Sequence, residues 1–266
     1  MLLCHANSAL SMSGEAVQLV GWGLGGLLFA TIGLLPTTFI ILILYIISSF
    51  LMLLLPKAEV EVLESETNLE ILLKGWKLVA RDPRLRLFVS ANLFEIFSNT
   101  IWVSSIILVF VTELLNKTES YWGYSNTAYS IGIIISGLIA FRLSEKFLAA
   151  KWESILFPLV AMAIVTLTIL YFPNAQMFLV FSALVGMLSQ LKEVPESVFL
   201  QETVEENNLV NVYSVLEVIS TLAFSVFVLL MSYITENFGI SISFWLSAIC
   251  LMIEAILIYI RRDYFK

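Results

Sequence analysis

Runs of about 20 apolar residues recur along the whole chain, and they constrain its fold more than any other feature. A helix needs about 20 such residues to cross a hydrocarbon core of about 30 Å. We place these runs at about 16 to 35, 37 to 55, 87 to 111, 124 to 141, 154 to 172, 175 to 191, 209 to 233 and 240 to 260. The pattern predicts an all-α polytopic membrane protein with about eight transmembrane helices.

The composition supports lipid as the solvent for most of the surface and excludes several kinds of chemistry. Of the 266 residues, 59% are hydrophobic and 13% are charged, whereas an average soluble domain has about 25% charged residues. His5 is the only histidine, Cys4 and Cys250 are the only cysteines, and no phosphate-binding glycine loop is present. We therefore predict no enzymatic activity, no metal and no cofactor.

The basic residues predict the orientation of the chain. With eight spans, thirteen of the fourteen Lys and Arg residues fall on one face of the membrane, and only Lys117 falls on the other. Since Lys and Arg in short loops stay on the cytoplasmic side, we predict a multi-pass protein of the cell membrane with both termini cytoplasmic. This count places Lys192 in a cytoplasmic connection over residues 192 to 208, which we predict to be solvated.

One extended polar segment, residues 56 to 86, divides the chain. Apolar residues at spacings of three and four predict an amphipathic helix on the inner membrane surface: Leu69, Leu72, Leu73, Trp76 and Val79. The predicted units are 1–55 with two helices, 56–86 as a cytoplasmic linker, and 87–266 with six helices.

This arrangement, together with three local motifs, resembles the major facilitator superfamily of transporters. Residues 21 to 26, Gly-Trp-Gly-Leu-Gly-Gly, resemble the G-P-x-x-G-G core of that family's fifth helix. Residues 137 to 146 resemble a basic loop of the family, with Gly137, Arg142 and Lys146 matching. Residues 74 to 76 and 81 to 85 resemble the end of the linker in bacterial drug, macrolide and siderophore exporters.

The resemblance implies a partial major facilitator fold, with the last two helices of an N-terminal half and the six-helix C-terminal half. The chain resembles the C-terminal two thirds of such a transporter, and from this resemblance we expect it to lack the family's first four helices. Residues carried over as conformational motifs are Gly21, Gly25, Gly26, Gly137, Arg142 and Lys146.

The implied function is secondary active transport, specifically proton-coupled efflux of small amphipathic molecules, by a chain that we expect to be truncated. Expected partners are the lipid bilayer, a small-molecule substrate and protons, with no nucleic acid and no nucleotide. The alternative from another class is a non-transporting membrane fragment or scaffold subunit from an incomplete gene.

Ionisable residues inside the predicted spans are the candidates for coupling, because a charge at a helix centre costs about 2.5 to 3.5 kcal/mol. Glu95 shares a helix face with Asn92, Asn99 and Trp102, and Glu217 shares one with Tyr213. We hypothesise that Glu95 or Glu217 takes up a proton; the alternative is a structural carboxyl bonded to a neighbouring polar side chain.

Three further features of the spans lead to expectations about pairing, substrate contact and helix packing. Glu254 lies nearer a membrane end, where pairing or snorkelling is expected. Ser189 and Gln190 are candidates for contact with substrate. The small residues Ala128, Gly132, Ser136 and Ala140 recur every four positions and predict close helix packing.

Overall fold

A computed structural model describes residue 14, residue 17, and residues 32–54, 68–118, 120–142 and 151–265. The described part is helical and contains no strand. Its nine α-helices are α1 (Leu34–Leu53), α2 (Asn68–Arg81), α3 (Pro83–Asn99), α4 (Ser104–Val109), α5 (Ser120–Arg142), α6 (Lys151–Tyr171), α7 (Ala175–Thr203), α8 (Glu206–Phe238) and α9 (Ile240–Ile260). Short 3₁₀ turns follow α3 (Thr100–Trp102) and α9 (Arg262–Phe265), and a π-helical turn (Phe110–Leu114) continues α4.

Five helices of the described part, α1, α6, α7, α8 and α9, are long and apolar enough to cross a membrane. A sixth span results if α3 and α4, which meet at a bend of 45°, are taken together. The helix α5 has 23 residues, or about 34 Å at 1.5 Å per residue, but carries more polar side chains. The all-α membrane fold is confirmed. The count of eight stays a prediction, because most of the expected span at 16 to 35 lies outside the described residues.

The predicted solvated connection at residues 192 to 208 is wrong over most of its length. The helix α7 does not end near residue 191 but continues to Thr203, and Lys192 is only 1% exposed. Val194, Val198 and Phe199 are also buried, at spacings that continue the apolar face of the helix. Charged residues interleaved with this face lower the mean hydropathy of the segment, so the continuation of the helix was not recognised from the sequence. Lys192 therefore does not belong among the basic residues that indicate orientation.

The helices α5 and α7 pack backbone against backbone. A Cβ atom on Gly132 would overlap the carbonyl oxygen of Ala183, and one on Gly186 would overlap that of Tyr129. Ser136 is buried one turn beyond Gly132. The predicted stripe of small residues is thus a packing surface, as expected where dispersion rather than hydrophobic burial joins helices.

The amphipathic helix predicted around residues 69 to 79 is present as α2, and it docks on protein. Gly75 lies so close to the carbonyl of Asn211 in α8 that a Cβ atom would overlap it, and Val79 is buried. Leu73 and Trp76 remain 42% and 43% exposed. Contact of this exposed side with the membrane surface stays a prediction.

Asp82 and Pro83 set the start of α3. The Asp82 carboxylate accepts a hydrogen bond from the backbone N–H of Arg84 at 2.8 Å and one from its guanidinium Nη2 at 2.9 Å. The hydrogen bond from the Arg84 side chain holds the pKa of Asp82 below its ordinary value. Pro83 occupies the first helical turn, where its missing N–H costs nothing.

Candidate functional site

A lysine is buried in the helix bundle with three carboxylates around its ammonium. Lys192 Nζ donates to Glu95 Oε2 at 2.6 Å and to both oxygens of Glu196 at 2.8 Å, and it lies 3.5 Å from Glu254 Oε1. We call these four residues the Lys192 cluster. Their side chains are 2% (Lys192), 11% (Glu95), 12% (Glu196) and 1% (Glu254) exposed.

The Lys192 cluster joins three helices. Glu95 belongs to α3, Lys192 and Glu196 to α7, and Glu254 to α9. Lys192 and Glu196 are four residues apart and therefore share one helix face. Removing charges from water is costly, so these contacts offset part of the cost and hold α3, α7 and α9 together where α7 and α9 approach their C-terminal ends.

A chain of weaker polar contacts extends the cluster to α8. Asn92 Nδ2 donates to Glu95 Oε2 at 3.4 Å, and Ser220 Oγ of α8 donates to Asn92 Oδ1 at 3.5 Å. A change of charge at Glu95 is thus felt by the amide of Asn92 and, through it, by a second transmembrane helix.

A cavity of about 210 Å³ lies beyond the cluster, next to the end of α3. Its lining combines aromatic, amide and hydroxyl side chains with apolar ones, and none of the lining residues is charged: Asn99, Trp102, Ile107, Ser125, Asn126, Tyr129, Met162, Val185 and Ser189. Tyr129 OH donates to Ser189 Oγ at 3.4 Å. The Trp102 ring stacks on Phe178, with centroids 6.3 Å apart.

One helix connects the cluster to the cavity. Glu95 of the cluster and Asn99 of the cavity lining are four residues apart in α3, and Trp102 follows in the 3₁₀ turn. Glu95 and Asn99 are therefore separated by about 6 Å along the helix axis, so a displacement of α3 at Glu95 also moves the cavity lining.

The structure brings some of the predicted site residues together and separates others. Glu95 and Asn92 lie in or beside the Lys192 cluster, and Asn99, Trp102 and Ser189 line the cavity. Gln190 is buried outside the cavity lining, and its Nε2 has no hydrogen-bond partner among the described residues.

The glutamate and tyrosine predicted in α8 lie apart from the cluster. Glu217 and Tyr213 are exposed, and Glu217 accepts one hydrogen bond, from Thr221 Oγ1 at 3.4 Å. Of the motif residues, Gly137 is buried and Arg142 is exposed at the end of α5. Gly21, Gly25, Gly26 and Lys146 lie outside the described residues.

Sequence reasoning missed Lys192 and Glu196 as site residues. Their spacing of four, typical of a helical ion pair, was the signal that could have placed them inside a helix. Glu254, for which pairing and snorkelling were both open, is paired with Lys192. Nothing in the sequence singled out Asn126 or Tyr129 in the cavity lining.

Apolar spanning helices around a buried ionic cluster and a polar cavity define a polytopic membrane protein of the transporter class. Residues 88–266 match the family model described as Major Facilitator Superfamily. The chain therefore belongs to the major facilitator superfamily, as its motifs and its division of helices predicted.

Two relatives come from Bacillus subtilis strain 168. The chain is 29% identical over 255 residues to the uncharacterized MFS-type transporter YfmI, which covers 94% of the chain, and 26% identical over 257 residues to the uncharacterized MFS-type transporter YjbB, which covers 97%. The chain spans 63% of the length of each. No solved structure matches it.

Proposed function

We propose that this chain is part of a secondary active transporter that exports small amphipathic molecules in exchange for protons. The proton enters the Lys192 cluster, and the substrate occupies the cavity beside Asn99 and Trp102. Glu217, the second predicted proton acceptor, contributes a polar group on the exposed side of α8.

The observation that carries the proposal is the unequal number of charges in the Lys192 cluster. If all four side chains were ionised, three negative charges would face one positive charge inside apolar helices. An uncompensated buried charge costs several kcal/mol, so a mobile cation is required for balance, and a proton is the cation that a carboxylate binds without further ligands. Ionisable groups inside membrane spans commonly serve as proton relays for the same reason.

The cavity supports an amphipathic substrate. Trp102 and Tyr129 offer aromatic surface, while Asn99, Asn126 and Ser189 offer donors and acceptors. Sites for small molecules combine a mainly apolar wall with a few orienting polar groups in this way. Since no lining side chain is charged, binding here depends on stacking and hydrogen bonding and leaves the ionic balance to the Lys192 cluster.

Transport by the purified chain in proteoliposomes tests the proposal, with ethidium as the fluorescent amphipathic probe and an imposed pH gradient as the driving force. We expect ethidium movement driven by the gradient in wild type and its loss in Glu95→Gln, because Lys192 then has no carboxylate partner on α3. The matched control is Glu153→Gln, the same change at an exposed position in α6, which should transport as wild type does.

The rival function, a non-transporting membrane fragment or scaffold subunit, predicts a different pattern. It requires that wild-type proteoliposomes move no ethidium and no other amphipathic probe above the level of protein-free liposomes. If Glu95→Gln and wild type showed equal pH-driven transport, the chain would be a transporter, but the Lys192 cluster would have no part in proton coupling.

A further inference from the structure

The structure assigns Glu254 as the carboxyl group that holds the proton in the Lys192 cluster, with Glu95 and Glu196 retained as the ionised partners of Lys192. The role of this proton in transport rests on the proposed function. The protonation of Glu254 itself does not, because it is a property of the resting protein. It names a group on α9 for which the sequence predicted pairing or snorkelling.

Glu254 is the least compensated of the three carboxylates. Lys192 Nζ approaches Glu95 to 2.6 Å and Glu196 to 2.8 Å, but Glu254 only to 3.5 Å, which is beyond the distance of a strong charge-assisted hydrogen bond. Its second oxygen, Oε2, is buried and accepts no hydrogen bond from the described residues. The other two carboxylates each accept a short bond, and Asn92 adds a second donor at Glu95.

Burial also sets Glu254 apart from the other two carboxylates. The Glu254 side chain is 1% exposed, whereas those of Glu95 and Glu196 are 11% and 12% exposed. A carboxylate without water and without donors loses its solvation energy and regains little of it. A carboxylic acid is neutral and avoids that loss, so the proton belongs on the most enclosed and least bonded group.

The charged and titratable groups around Glu254 reinforce this assignment. From α3 it faces Glu95, from α7 it faces Lys192 and Glu196, and one turn away on α9 itself lies Cys250. The helices α6 and α8 also pack against α9, but their glutamates are all exposed: Glu153, Glu206, Glu217 and Glu236. Among the side chains that the structure describes, the only cation that acts on Glu254 is therefore Lys192, which two closer carboxylates already share.

Loss of the proton from Glu254 changes the contacts between helices. When Glu254 loses its proton, two carboxylates on α7 and α3 compete with a third on α9 for the ammonium of Lys192. The ammonium is then drawn toward Glu254, and its bond to Glu95 on α3 weakens. Because α3 continues into the cavity lining at Asn99 and Trp102, proton release at α9 loosens the helix that contacts substrate.

Infrared difference spectroscopy on the full chain in lipid vesicles tests the assignment without any transport. The carboxyl C=O stretching band of a protonated glutamate is recorded during a pH titration in wild type, in Glu254→Gln and in the matched control Glu153→Gln. We expect a protonated-carboxyl band at neutral pH in wild type and in the control. Glu254→Gln should lack this band.

Two results would overturn the inference. The first is a wild-type spectrum without any protonated-carboxyl band at neutral pH. This result needs no variant, so it overturns the inference even if Glu254→Gln fails to fold. A band that persists unchanged in folded Glu254→Gln moves the proton to Glu95 or Glu196. Wild type that shows the band but moves no probe in proteoliposomes contradicts the proposed function and leaves the assignment standing.

Discussion

Replacing Lys192 by methionine removes the positive charge from the Lys192 cluster with little change in side-chain volume. The three carboxylates then have no cation, and at least one more of them must be protonated in the folded chain than in wild type. Protonating an ordinary glutamate, whose pKa is about 4.3, at pH 7 costs about 1.4 kcal/mol for each of about 2.7 pH units, or about 4 kcal/mol. Breaking a buried ion pair costs about 3–5 kcal/mol, so the two estimates agree.

The loss of stability in Lys192→Met increases as pH rises. Folded Lys192→Met binds more protons than its unfolded state, in which the glutamates are ionised at neutral pH, so its stability falls as pH rises. Relative to wild type, we expect a deficit in unfolding free energy of about 4 kcal/mol at pH 7 that shrinks to about 1 kcal/mol at pH 5.

Denaturant unfolding in detergent, followed by tryptophan fluorescence at both pH values, measures this deficit. The matched control is Lys77→Met, at an exposed position of α2, which should lie close to wild type at either pH. A Lys192→Met variant within about 1 kcal/mol of wild type at pH 7, a typical effect of a surface substitution or exposed ion pair, would refute the burial and charge argument.

Other consequences of the packing are testable in the same assay. Gly132→Ala forces α5 away from the carbonyl of Ala183 and should destabilise the chain by about 1–3 kcal/mol, whereas Gly123→Ala, where no neighbour lies within 4 Å of the added Cβ, should be neutral or stabilising. Asp82→Ala removes the cap of α3 and should cost about 1 kcal/mol, while Asp82→Asn keeps a capping oxygen and should cost clearly less; equal losses would contradict the capping role.

Hydropathy and spacing predicted most of the fold because the bilayer imposes a simple rule on them. An apolar run of about 20 residues satisfies its own backbone only as a helix, and the predicted run at 240 to 260 coincides with α9 (Ile240–Ile260). Asn92, Glu95 and Asn99 could be grouped because their spacing places them on one face of α3, and Trp102 follows in the 3₁₀ turn.

The composition of the Lys192 cluster could not be predicted in this way. Mean hydropathy over a window of residues falls wherever Lys and Glu occur. The fall is the same whether these side chains are exposed to water or paired with one another inside the bundle. Lys192 and Glu196 were therefore assigned to a loop, although their charges are matched across α3, α7 and α9 by residues 97 and 62 positions away. Contacts between distant segments require the packed bundle.

The most direct test of proton coupling through the Lys192 cluster is pH-driven accumulation of ethidium by proteoliposomes that contain wild type or Glu254→Gln. It is compared with ethidium exchange at equal pH on both sides. We expect wild type to accumulate the probe against its gradient when a pH gradient is imposed. Glu254→Gln should exchange the probe across the membrane but fail to accumulate it, because its α9 no longer gains or releases a proton. Accumulation by Glu254→Gln at the wild-type level would contradict the claim that the Lys192 cluster couples protons to transport.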